Sequence, residues 1–306
     1  MILLAGGTGR LGSTLAERLT SRGLHVRLLT RDPSRARRLS AHDVELVAGD
    51  VRHAPSLESA LTGADTVISA VTGFGPGGGG PRAVDLLGNE NLISAAEAAG
   101  AKHFILVSIH GARPDHPMEL YRMKFFAEER LRKSRLDWTI IRPTAFMELW
   151  AGIVGRPVIE KGKTTVFGSG NNPINFVSVE DVARFVVLAV TDSRLRRKSL
   201  DVGGPENVTL NELVDVFEQI RGRKATVRHL PVPVMRLSAV LMRPLRPDLA
   251  GLIQAGVVMD TADMSFDPGE TRALYPEIPL THLADVVRRQ YGAVTASVEP
   301  APPART

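Results

Sequence analysis

Cysteine is absent from all 306 residues, which excludes a disulfide framework, a thiolate metal site and a cysteine nucleophile. The eight histidines are scattered and include no His-Glu-x-x-His or other close ligand pair, so no metal is expected. No run of about 20 apolar residues escapes interruption by a charge, which argues against membrane insertion. Aromatic residues make up only 5% of the chain, and the densest basic runs, 31–38 and 194–198, contain none. Without rings for base stacking, a net charge of +5 reads as solvated surface, and no nucleic-acid partner is expected. The chain opens on Met1-Ile2-Leu3-Leu4-Ala5, which reads as a buried strand with no room for a secretory leader, so the expected location is cytoplasmic.

What is present is a globular composition, 43% hydrophobic and 23% charged, over a length that accommodates a doubly wound domain and a smaller partner. Continuous apolar runs at 2–5, 26–30, 44–47, 66–71, 103–108 and 137–142 alternate with helical stretches at 11–22, from Pro33, at 55–61, 82–99 and 117–133. Continuous rather than alternating hydrophobicity is the mark of parallel strands covered on both faces by helices. The fold class expected is therefore α/β, a Rossmann-type doubly wound parallel sheet. After Pro143 the rhythm loosens, with a short helix at 146–153 and strands at 164–167, 175–176 and 225–230. Ser178 is positioned to cap a helix reaching Val190, and Thr209 with Glu212 has capping-box spacing for a helix at 210–221. Prolines 231, 233, 244 and 247 punctuate a smaller, mostly helical C-terminal lobe, which ends in a helix at 283–290. The organisation expected is a dinucleotide-binding core at 1–150, a substrate- or partner-binding lobe at 151–293 that returns to the core, and a disordered tail at 294–306.

Gly6-Gly7-Thr8-Gly9-Arg10-Leu11-Gly12 follows the first strand and opens the first helix. Glycines three apart allow a tight turn, close approach of a pyrophosphate to main-chain N–H groups, and close packing of helix on sheet. Phosphates then sit at the positive end of the helix. The second strand ends Thr30-Arg31-Asp32, and there an acid serves the ribose of NAD whereas a base pairs with the extra phosphate of NADP. Arg31, Arg35 and Arg10 are read as a phosphate clamp, which favours NADP(H); Asp32 leaves NAD(H) possible. Asp50 and Val51, after the third strand, are candidates for the adenine, with helix capping the competing task for Asp50. Ala70 and Val71 end the fourth strand beneath the expected cofactor path. The glycine-rich stretch at 73–81 follows, on the ligand-binding side, as either a surface loop or a flap.

Three separated segments carry a family resemblance: Leu4 to Gly12, Asp85-Leu86-Leu87-Gly88-Asn89-Glu90-Asn91-Leu92-Ile93, and Trp138-Thr139-Ile140-Ile141-Arg142-Pro143. With Phe176 to Ala183 and Val202-Gly203-Gly204-Pro205-Glu206, they resemble the atypical short-chain dehydrogenase/reductases, NmrA-like branch, over residues 1–230. The resemblance implies a reductase of quinones or phenolics, or a redox sensor or assembly protein that binds the cofactor without turnover. It further implies a tyrosine acid, a lysine four residues later that holds the nicotinamide ribose, and an orienting hydroxyl after the fifth strand. Lys124 matches the lysine, but Leu120 occupies the tyrosine position. Tyr121, three residues before the lysine, is displaced about 100° around the helix and is either a substitute proton donor or structural. Ser108 precedes the aligned position, Ile109, while His110 and, more weakly, His116 are alternative donors. Pro143 is expected to fix the chain beside the nicotinamide, leaving Thr144 and Ala145 backbone groups for the carboxamide. Phe146, Met147 and Trp150 are candidates for an apolar pocket. The expected function is NADPH-dependent reduction of a planar conjugated acceptor such as a quinone or enone, with a small aromatic substrate and a monomer or homodimer. The alternative is a non-catalytic NADP(H)-binding regulator or assembly protein.

Overall fold

The computed structural model describes residues 1–34, 36, 44–75 and 77–295. Arg35, most of the helix expected after Pro33 and residues 296–306 of the expected tail lie outside the described residues.

β1 (Ile2–Ala5) leads through the glycine loop into α1 (Arg10–Thr20), followed by β2 (Val26–Thr30) and β3 (Glu45–Ala48). A 3₁₀ turn at Ala54–Leu57 runs into α2 (Glu58–Leu61), ahead of β4 (Thr66–Ser69). A π-helical segment, Arg82–Gly88, passes into α3 (Asn89–Ala98), and β5 (His103–Val107), α4 (Glu119–Arg132) and β6 (Asp137–Pro143) complete the regular part. Next come β7 (Ala145–Phe146), α5 (Met147–Trp150), a second π-helical segment at Ala151–Gly155, α6 (Arg156–Lys161), β8 (Lys163–Phe167) and β9 (Ile174–Val177). Then follow α7 (Val179–Thr191), β10 (Lys198–Val202), β11 (Asn207–Val208), α8 (Leu210–Arg221) and β12 (Thr226–Leu230). The chain closes with α9 (Val232–Met242), α10 (Pro247–Thr261), α11 (Gly269–Leu274) and α12 (Leu283–Thr295).

Seven strands form one sheet in the order β10-β6-β5-β4-β1-β2-β3, every neighbouring pair parallel. The order reverses between β1 and β4, so the loops after these strands diverge and open a crevice at their C-terminal ends. Leu4, Leu15, Leu28, Ile105, Ile141 and Val186 fill one face of the sheet, against α1 and α7. Leu3, Leu61, Ile93, Phe104, Leu131 and Ile140 fill the other, against α2, α3 and α4. A third cluster, around Trp150, Phe167, Phe176, Phe217, Met235 and Met259, holds the mostly helical C-terminal region together. Each such fully buried Leu or Phe contributes about 1.5–3 kcal/mol.

Three departures from the sequence reading have physical causes. Lys198–Val202, read partly as a charged surface run, is the seventh strand; its exposed Lys198 and Ser199 and buried Leu200 and Val202 suit the sheet edge. The helix expected over 82–99 begins as a π-helix, where the Asn89 side-chain amide donates to the Asp85 carbonyl at 2.8 Å and competes with the regular ladder. Pro117 precedes the N-cap of α4, Met118, instead of occupying its first turn. The capping box at Thr209 and Glu212 forms with both reciprocal bonds, and Ser178 accepts from the Glu180 N–H.

Candidate active site

The turn after β1 shows why two of its glycines are needed. Gly6 stands at φ +87°, and a methyl group there would lie 2.5 Å from the Ala70 carbonyl oxygen. A methyl on Gly12 would lie 2.2 Å from the Gly6 carbonyl oxygen, so helix and loop meet backbone to backbone. α1 starts after Gly9, which has no side chain to cap it, so the first N–H groups of the helix face the crevice. These features fit a dinucleotide's pyrophosphate.

A cleft of about 210 Å³ continues from Gly6, Thr8 and Gly9 past Arg31, Asp50 and Val51. Arg31 lines it, while the Asp32 carboxylate accepts from the Ser34 N–H at 3.0 Å and the Ser34 hydroxyl at 2.5 Å. Asp50 is gripped by the guanidinium and N–H of Arg52, which hold its carboxyl below the usual carboxylate range. Arg52 itself lines the cleft, a residue the sequence reading passed over. Arg10 does not join Arg31: it lines the neighbouring cavity, reaching toward Gly152. The buried Glu148 carboxylate nearby accepts the Val179 N–H at 3.0 and 3.1 Å, and burial pushes its carboxyl up.

That neighbouring cavity, about 290 Å³, meets the cleft at Gly9, Ala70, Val71 and Thr72 and is walled by Met118, Leu120, Phe146, Leu149, Trp150 and Val258. Of the three expected pocket residues, Phe146 and Trp150 line it, whereas Met147 is wholly buried in the core. Tyr121 and Lys124 both reach it from one side of α4, as their spacing of three requires. The Tyr121 ring stacks on His116 with centroids 3.8 Å apart and 13° between planes. Burial pushes its phenol up to about 12, so the hydroxyl is protonated at neutral pH. Burial, with Arg113 adding to it, lowers His116 to about 4; a neutral ring accepting the Met118 N–H cannot act as an acid near pH 7.

Lys124 is buried. Its ammonium donates to the Val71 and Val107 carbonyls, each at 2.9 Å, and forms an ion pair with Asp85 Oδ1 at 3.1 Å. The ribose contact implied by the family resemblance competes with these partners. Asp85 Oδ2 accepts the Gly73 N–H at 2.8 Å, anchoring the start of the glycine-rich loop. The loop closes on itself through a Gly80 N–H to Gly73 carbonyl bond of 3.1 Å, and a methyl on Gly73 would strike that backbone at 2.1 Å. Burial pushes the Asp85 carboxyl up, against the opposing pull of Lys124 and Gly73.

The remaining polar candidates are also satisfied internally. The Ser108 hydroxyl donates to Glu128 Oε1 at 2.5 Å, and Arg142 binds both oxygens of that carboxylate at 2.9 and 2.5 Å. His110 pairs with Asp201 at 2.8 Å, meets Phe266 edge-on, and does not line the cavity. The Thr144 N–H, expected to be open to a carboxamide, donates to the Val202 carbonyl at 3.0 Å because β10 lies beside β6. The Thr144 hydroxyl donates to Asn175 at 3.0 Å, which braces the Pro143–Ala145 turn. Pro143, Thr144 and Ala145 nevertheless all line the cavity.

The family model described as NAD(P)H-binding matches residues 6–193. The chain belongs to this NAD(P)H-binding family. An NAD(P)H azoreductase of Xenophilus azovorans is 31% identical over 223 residues, 73% of this chain and 74% of that protein. The photosystem II assembly factor Ycf39 of Synechocystis is also 31% identical, over 235 residues, 77% of this chain and 72% of that protein. The fold matches an NADPH-dependent quinone oxidoreductase of Escherichia coli, solved with NADPH, at TM-score 0.78 and 22% identity over 95% of this chain and 100% of that one. These matches agree with the resemblance to the atypical short-chain dehydrogenase/reductases.

Measured against the pattern implied by that resemblance, two of the buried acids to which the sequence reading assigned no task stand beside the expected catalytic residues. Asp85 and Glu128 are each 0% exposed and hold Lys124 and Ser108 respectively. Asp85 did appear in the motif segment that carried the resemblance. The signal that could have exposed its role is an acid three residues into an apolar helix, directly after a run of glycines.

Proposed function

We propose that this protein is an NADPH-dependent reductase of a planar, apolar, conjugated acceptor such as a quinone or enone. The observation that carries this reading is the apolar cavity opening off the dinucleotide cleft at Gly9, Ala70, Val71 and Thr72. The relationship to an azoreductase supports it. The dinucleotide, when bound, supplies a hydride. The protein's part is to bind and orient: Gly6 and Gly12 admit the pyrophosphate, and Met118, Leu149 and Trp150 exclude water from the acceptor. Tyr121, with no hydrogen-bond partner among the described residues, donates to an acceptor oxygen without losing its proton. An electron-poor conjugated ring needs no stronger acid during hydride transfer, since the reduced product takes up its proton from water after release. Preference for NADPH rests on Arg31 in the cleft and on Asp32 being turned to Ser34.

Purified protein mixed with NADPH and a panel of quinones is expected to oxidise the cofactor faster than the uncatalysed mixture. Tight NADPH binding without turnover on any acceptor would overturn the reductase reading. That outcome would favour a cofactor-binding regulator or assembly protein, the reading supported by Leu120 in place of tyrosine, the internal hydrogen bonds and ion pair of Lys124 and the relationship to Ycf39.

A further inference from the structure

Residues 219–247 contain seven Lys or Arg and no Asp or Glu. The other 277 residues then carry 31 bases and 33 acids, so a chain of net charge +5 is slightly acidic outside this one segment. The same segment holds α9, which buries only Met235. Val234, Leu237, Val240 and Leu241 are 48, 62, 69 and 64% exposed, and Leu245, just beyond the helix, is 81% exposed. At about 100° per residue these four helical side chains span an arc of about 120°, and Arg236 and Arg243 fall side by side along one border of it. Arg246 follows, sharing the carboxylate of Asp248 at 3.2 Å.

We propose that this face docks the protein on an anionic lipid bilayer surface. Apolar side chains enter the boundary between headgroups and acyl chains, while the adjacent arginines meet lipid phosphates. Eleven residues of helix reach only about 16 Å, half of a hydrocarbon core, so α9 lies in the interface rather than across it. A lipid surface suits the face better than a protein partner does, because protein interfaces centre on aromatic anchors and residues 219–247 contain no Phe, Tyr or Trp.

The position of the face gives docking a consequence. Arg236, Val240 and Arg243 line a groove of about 840 Å³ that residues of the glycine-rich loop also line. That groove shares Phe74, Met118, Leu120 and Val258 with the apolar cavity beside the dinucleotide cleft. A lipid-dissolved acceptor reaches the cavity through this groove without crossing water; this part rests on the reductase reading.

The full-length protein should be sedimented with phosphatidylcholine vesicles, with and without phosphatidylglycerol, at low and high salt. Binding is expected with the anionic vesicles alone, and high salt should reverse it. Arg236→Ala and Arg243→Ala should each weaken it about fivefold, and Leu237→Asp with Leu241→Asp should abolish it. All four side chains are exposed, so an unchanged thermal transition and NADPH affinity should accompany these losses. No binding to anionic vesicles, equal binding to neutral ones, or native binding by the double aspartate variant would overturn the proposal. Self-association that disappears in that variant, without vesicle binding, would assign the face to a second copy and overturn it too. Vesicle binding requires no turnover, so its failure is distinct from failure of the reductase reading. The access route is read separately: Leu237→Asp should raise KM for a vesicle-borne quinone and leave KM for a water-soluble quinone unchanged.

Discussion

At the β1 end of the crevice the binding groups are backbone: glycines that bring main chain into contact, and the uncapped first N–H groups of α1. At the β5 end they are side chains, and Lys124, Ser108 and Thr144 are already bonded to Asp85, Glu128 and Asn175. The first end is open to a ligand, while the second is braced against itself and leaves the Tyr121 hydroxyl without a hydrogen-bond partner among the described residues. The contrast teaches that cofactor grip and acceptor chemistry are separable here. The main chain provides the grip, and the polar network beneath the cavity fixes shape more than it supplies reacting groups.

Substitutions at the two ends should therefore fail in different ways. The largest effect is expected from Asp85→Ala, which strips a buried ammonium of its counter-charge and frees the glycine-rich loop from its anchor. A loss of about 3–5 kcal/mol in urea unfolding follows from leaving such a charge unpaired; a loss below about 1 kcal/mol would show that Lys124 finds water instead. Arg31→Ala should do the reverse, leaving stability intact while weakening NADPH about 10- to 100-fold by titration, with NADH little affected. Equal weakening of both nucleotides would remove Arg31 as the discriminating group.

A smaller change, about tenfold in kcat/KM, is expected for Tyr121→Phe, the loss of one hydrogen bond to the acceptor. Because burial raises this phenol above its ordinary value near 10, the protonated form persists as pH rises and is lost only toward about 12. The pH profile should accordingly carry no Tyr121 limb below about pH 10. A basic limb near neutrality that disappears in the Phe variant would mean that the bound acceptor reverses the effect of burial.

The sheet was legible from residue pattern because parallel strands covered on both faces are apolar along most of their length, and β1, β2, β4, β5 and β6 each carry a run of consecutive apolar residues. β10 escaped because an edge strand buries only alternate residues and Lys198-Ser199-Leu200-Asp201-Val202 satisfies that with two apolar side chains. The glycine loop was equally readable, since its spacing carries a local steric requirement. The fates of Ser108 and Thr144 were not, because each is set by a partner far along the chain: Glu128 and Asn175.

Local order alone determined that β1, a glycine turn and α1 would make a dinucleotide cradle, because close backbone contact between consecutive elements is encoded by the residues that make it. Tertiary structure decided which side chains face the ligand. Buried charges choose partners by distance in the folded chain, and a carboxylate such as Asp85 or Glu128 binds whichever cation the packing brings to it.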